Sequence, residues 1–158
     1  MSAARILATM ALFTAASAAQ AQNATQNVTF QVNAINQIAV AGSPSLTINT
    51  ATAGSAPTAA TASATWAVTT NQSNAKITAS LDSDMPAGLS LTVDLTAPTG
   101  ASSAGATALS SASVDLVTGI SKKAEAALPV GYSLSATTAA GVVSSTSRTV
   151  TFTITGGV

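Results

Sequence analysis

The sequence predicts an all-β fold, an immunoglobulin-like β-sandwich of about nine strands, and three observations carry that expectation. Apolar residues recur at every second position, as in Leu89, Leu91, Val93 and Leu95, rather than with a helical period. The positions between them are largely Thr and Ser, whose side chains suit the wet face of a half-buried strand. Residues that favour turns, such as Gly42-Ser43-Pro44 and Pro98-Thr99-Gly100, separate the runs. A closed barrel is the alternative architecture.

The strands are read in order. Val28, Phe30 and Val32 alternate with Thr29, Gln31 and Asn33. Shorter candidates follow at residues 35–40 and 46–49. Trp66 and Val68 alternate with Thr65, Ala67 and Thr69; Ile77, Ala79 and Leu81 alternate with Thr78, Ser80 and Asp82. After Leu89 to Leu95 comes a short candidate at 114–117, then Tyr132, Leu134 and Ala136, and last Val150, Phe152 and Ile154 between threonines. Each longer strand carries one apolar stripe, as two sheets facing one core require. Asn71-Gln-Ser-Asn74 and residues 82–88, with Pro86, read as turns. Residues 51–62 and 101–112 read as long connections of low complexity. Residues 121–128, with Lys122, Lys123 and Glu125, read as a loop or one helical turn.

Residues 1–21 read as an export signal: Arg5, an apolar run over 6–16, and Ala19-Gln20-Ala21 as the cleavage site. The apolar run is shorter than the roughly 20 residues a spanning helix needs. The expected mature domain is therefore 22–158, exported to the medium, cell surface or periplasm, with no membrane span after cleavage. Without Arg5, four basic residues stand against five acidic ones, a net charge of −1. Four scattered cations cannot replace the counterions of a phosphate backbone, so nucleic acid is not an expected partner. Near-zero net charge favours association over mutual repulsion, and the expected partners are copies of the chain itself or other envelope proteins.

Catalysis is not expected. The chain has no His and no Cys, which removes the commonest general base, thiol chemistry and the usual zinc sites. A Ser-His-Asp triad cannot be assembled, and no cofactor or phosphate-cradling loop is indicated. Asp82-Ser83-Asp84 is the one pattern that resembles a metal site; two carboxylates at a turn suit Ca²⁺, but Asp is also an ordinary turn residue. Phe30, Trp66, Tyr132 and Phe152 each share strand parity with aliphatic neighbours, which places them in the core rather than on a sugar-binding surface.

Asn27-Val-Thr-Phe-Gln-Val32 and Thr149-Val-Thr-Phe-Thr-Ile154 share one pattern and bracket the domain. Two readings are open. The first and last strands pair or face one another within one sandwich. Or residues 26–34 of one molecule complete the sheet of the next, with Val28, Phe30 and Val32 as the donor side chains and the acceptor groove beside residues 148–155.

Trp66-Ala-Val-Thr-Thr-Asn71, Lys76-Ile-Thr-Ala-Ser-Leu81, Met85-Pro-Ala-Gly88, Val117-Thr-Gly-Ile120 and Arg148-Thr-Val-Thr-Phe-Thr-Ile154 together resemble a family of uncharacterised secreted bacterial β-sandwich proteins. More loosely, the architecture is similar to donor-strand pilus and biofilm-fibre subunits, although the cysteine pair common in chaperone–usher pilins is missing. The resemblance implies a structural or adhesive surface protein, a filament subunit joined by strand donation. The alternative is a monomeric binding module for a glycan or an envelope protein, with Trp66 as its test residue.

Overall fold

The computed structural model describes residues 20–157. The export signal expected at 1–21 lies outside the described residues, apart from Gln20 and Ala21. The chain divides into two units after Val32. In the first, residues 20–32 form no helix or strand. Val28, Phe30 and Val32 are 74, 89 and 78% exposed, which corrects the expectation that they point into a core. Alternation gives a segment the capacity to be a strand, but a strand also needs a neighbour for its N–H and C=O groups. Residues 26–32 belong to no described strand.

The second unit, residues 33–157, is a β-sandwich. Its strands are β1 (Asn36–Ala41), β2 (Ala60–Thr70), β3 (Ala75–Leu81), β4 (Leu89–Leu95), β5 (Ser102–Ser103), β6 (Thr107–Ala108), β7 (Val114–Ile120), β8 (Lys123–Ala136) and β9 (Val150–Thr155). A single 3-10 turn, Thr138–Ala140, follows β8. One sheet runs β1-β2-β8-β4-β6 and the other β5-β7-β3-β9, with every pairing antiparallel. Neither closes on itself, so the sandwich stands and the barrel alternative falls. Among the described residues no helix is long and apolar enough to cross a membrane.

The alternation read from the sequence becomes the core. Ala75, Ile77, Ala79 and Leu81 on β3 face Leu91, Val93 and Leu95 on β4, and all seven are buried. Trp66 is 1% exposed, and its Nε1–H donates to the Thr96 carbonyl at 3.1 Å. Burying an indole requires such a partner for its N–H.

Several elements depart from expectation, among them the short strands β5 and β6, which lie within the connection expected at 101–112. Residues 121–128 are neither loop nor helical turn: Lys123 opens the 14-residue β8. Ala127, at φ 57°, bulges there, and the register against β2 slips between Trp66 and Val68. A bulge puts two residues opposite one and so breaks the period of 2 that marks a strand. The start of β2, Ala60 to Ala62, falls within the connection expected at 51–62, because its inward positions are only alanines. Residues 46–49, expected as a strand, form none and have no paired neighbour among the described residues.

Candidate interaction site

The two ends of the sandwich differ. At the end where β2 gives way to β3, polar side chains fasten the incoming chain. Asn71 Nδ2 donates to the Asn33 carbonyl at 2.7 Å, and Asn71 Oδ1 accepts from Ile35 N–H at 2.8 Å. Thr70 Oγ1 donates to Asn36 Oδ1 at 2.7 Å, and Asn36 Nδ2 donates to Gln72 Oε1 at 2.9 Å. Asn and Thr suit this end because short polar side chains can satisfy backbone groups where a ladder begins. Residues 33–36 are therefore fixed, and the exposed Val28, Phe30 and Val32 lie upstream of a clamped point.

The opposite end is open. β2 begins there at Ala60, paired with Leu134, and runs 11 residues to the clamped end, about 35 Å at the usual strand rise. β1 leaves β2 at Ala41, so residues 60–64 have a strand on one side only. The departure occurs at Gly42, whose φ of 111° is open to glycine alone and whose missing Cβ would sit 3.2 Å from that of Ala64. Residues 44–49 then run past the sheet edge. Among the described residues none makes a main-chain hydrogen bond with that stretch, although Leu46 and Ile48 turn inward and are half-buried.

Between residues 44–51 and residues 143–150 lies a cleft of about 890 Å³. Its floor is apolar: Leu89, Leu91, Leu134 and Met85. Leu91 is buried, while Leu89 and Leu134 stay half-exposed because the β3–β9 sheet stops short of them. β9 borders this opening. Val150, Phe152 and Ile154 face inward but are only half-buried, and among the described strands β9 pairs with β3 alone. Residues 148–155, beside which an acceptor groove is expected, include β9, and the cleft lies between residues 44–51 and 143–150. Leu46 and Ile48 were legible only as a strand; that the strand would lack a partner was not. Residues 143–147, largely Ser and Thr, carried no signal at all.

The carboxylates at this end tie loops together. Asp82 Oδ1 accepts from Ser83 N–H at 3.0 Å and Thr149 N–H at 3.1 Å. Asp84 Oδ1 accepts from Ser111 N–H at 2.6 Å, which holds its carboxyl below the ordinary range. Arg148 Nε donates to the Asp84 carbonyl at 3.2 Å. Among the described residues no three acidic side chains gather as a metal site would need. Elsewhere, Thr99 N–H at 3.2 Å lowers the Glu125 carboxyl, and burial raises the Tyr132 phenol.

The aromatic residues separate. Trp66 and Tyr132 are core, Phe152 is half-buried, and Phe30 is the exposed ring among the described residues. A shallow depression of about 430 Å³ lies over Gly131 on the outer face, lined by Thr61, Ser63, Thr92, Asp94 and Ser133. It offers hydroxyls but no exposed ring for a sugar to stack on. No family model matches the chain, and no curated protein or solved structure matches it either.

Proposed function

We propose that this chain is an exported, non-catalytic structural or adhesive protein of the cell surface, a subunit that assembles with copies of itself by β-strand donation. One observation carries the reading: three apolar side chains at strand spacing, Val28, Phe30 and Val32, are exposed in a chain whose strand β9 has β3 as its one neighbour among the described strands and a half-covered inner face. Burying each such side chain is favourable by about 1.5–3 kcal/mol, and backbone ladder bonds add to it. A long unpaired edge with apolar flanks is a template for pairing unless charge or proline guards it, and β9 has neither. Export by residues 1–21, the near-neutral surface and the absence of His and Cys agree with this role.

The test is the exported chain, compared with a variant carrying Val28→Ser, Phe30→Ser and Val32→Ser, by size-exclusion chromatography and negative-stain microscopy. The expected result is oligomers or fibres from the first and folded monomer from the second. A parent chain that stays monomeric at high concentration overturns the proposal.

A further inference from the structure

We infer that the open-end cleft binds a small apolar acid, a hydrocarbon body carrying one carboxylate. The inference does not depend on how subunits associate, because every residue it uses lies within the sandwich.

Three features of the lining select this ligand. The first is size and floor. A volume of about 890 Å³ lies in the range of small-molecule sites, roughly 300–1,000 Å³. Leu89, Leu91 and Leu134 supply the floor, and Leu134 is paired on both sides, with Ala60 on β2 and Leu91 on β4. The floor's backbone is committed to those ladders, so what it presents to an occupant is hydrocarbon. The second is a hydroxyl that lacks a partner. Tyr132 is 8% exposed, belongs to the core with Val130, and lines the cleft. Trp66 N–H meets the Thr96 carbonyl, but among the described residues the Tyr132 hydroxyl has no hydrogen-bond partner. Nor is it sealed in: on the inner face of β8, the cleft is the opening that Tyr132 lines. A buried phenol ordinarily has a partner, and an oxygen of a bound molecule supplies one. The third is a lone cation. Arg148 is the single charged residue of the lining. Its Nε–H donates to the Asp84 carbonyl at 3.2 Å and its Nη1–H to the Ser147 carbonyl at 3.0 Å. The neighbouring Asp82 and Asp84 carboxylates hold the N–H groups of Ser83, Thr149 and Ser111. Among the described residues no carboxylate comes within ion-pair distance of Arg148. Two of the five guanidinium N–H groups are thus used on main-chain carbonyls, and three are left. A planar guanidinium takes a carboxylate through parallel hydrogen bonds. An apolar alcohol fills the floor but leaves this charge unanswered, and a dianion brings more charge than the lining balances.

Tyr132 is the chain's single tyrosine, which makes the site its own reporter. The exported chain is labelled with fluorotyrosine, so that its one fluorine resonance comes from Tyr132. It is titrated with dodecanoate below the micelle concentration, and with dodecanol as the uncharged match. The expected result is a saturable shift with dodecanoate and an affinity for dodecanol about tenfold lower, the worth of one charge-assisted hydrogen bond. Arg148→Gln is expected to bring dodecanoate down to the level of dodecanol, while Arg148→Lys keeps most of the preference, which separates loss of charge from loss of fold. Trp66, the single tryptophan, does not line the cleft, and its fluorescence is expected to stay constant. A change there means that the amphiphile unfolds the domain, and it overturns the inference. So does the absence of a saturable shift, equal affinity for acid and alcohol in the parent chain, or a preference that survives Arg148→Gln. A shift produced by anionic phospholipid vesicles and not by dodecanoate overturns the free acid as ligand. None of these outcomes bears on self-assembly, which sedimentation of the unliganded chain reads separately.

Discussion

β8 passes through two surroundings along one strand. At Val130 it runs between Ala64 on β2 and Leu95 on β4, and Val130 is buried against the opposite sheet. Near Leu134 and Ala136 the facing sheet has ended, and loops stand in for it. Both halves have the same alternating composition. What separates them is whether a second layer is present, which shows that an apolar stripe specifies a face to be covered and not what covers it.

The largest test of this contrast compares Ile77→Ala with Leu134→Ala. Ile77 is wholly buried in the closed half, so its truncation is expected to cost about 2–5 kcal/mol, including the cavity left behind. Leu134, half-exposed over the cleft, is expected to cost about 1 kcal/mol, since little of its area is taken from water. Urea unfolding of both variants measures the difference, and equal losses would show that the open end is packed like the closed one.

A second variant sharpens the account of what stands in for the missing sheet. Gly88, at φ 81°, turns the chain into β4, and a Cβ there would meet the Ala140 backbone nitrogen at 2.7 Å. Its carbonyl also accepts from Thr137 N–H at 2.8 Å. Gly88→Ala therefore strains the turn and pushes the Thr138–Ala140 turn outward, an expected loss of about 1–3 kcal/mol. Thermal melting reads the loss, and proteolysis of the variant is expected to begin at residues 138–149.

The smallest effect is that of acid. Hydrogen bonds from Ser111 N–H and Thr99 N–H hold the Asp84 and Glu125 carboxyls below their ordinary values. Both groups thus contribute stability that is present above the unfolded carboxylate range and lost as pH falls through their folded values. Melting temperature is expected to hold from pH 7 to about 5 and decline below about 4. Asp84→Asn should flatten part of that decline. Because both groups are exposed, the change is modest.

These contrasts also mark what the sequence made legible. β3, β4 and β9 were readable because large apolar residues alternate without interruption, as in Ile77-Thr-Ala-Ser-Leu81. The start of β8 was hidden by the bulge at Ala127, and by Lys123 and Glu125, which lie two apart on one face and form an ion pair at 3.5 Å. Residues 28–32 and 46–49 carry the same pattern as β9 yet form no strand. Pairing is a property of two segments, and the pattern of one cannot report whether the other is supplied. The pattern located β9, one border of the cleft. The rest of the cleft arises because β8 and β2 outrun β3, a matter of relative length between segments distant in sequence.

The clamp at Asn71 bears on mechanics. A pull on Asn33, directed away from the sandwich, reaches β1 along the strand axis. Ladder hydrogen bonds lie across that axis, so the six residue pairs from Asn36 with Thr70 to Ala41 with Thr65 bear the load together rather than opening one at a time. The tension then passes through β2 into β8, the longest strand of the sheet, by the longest run of paired residues in the domain.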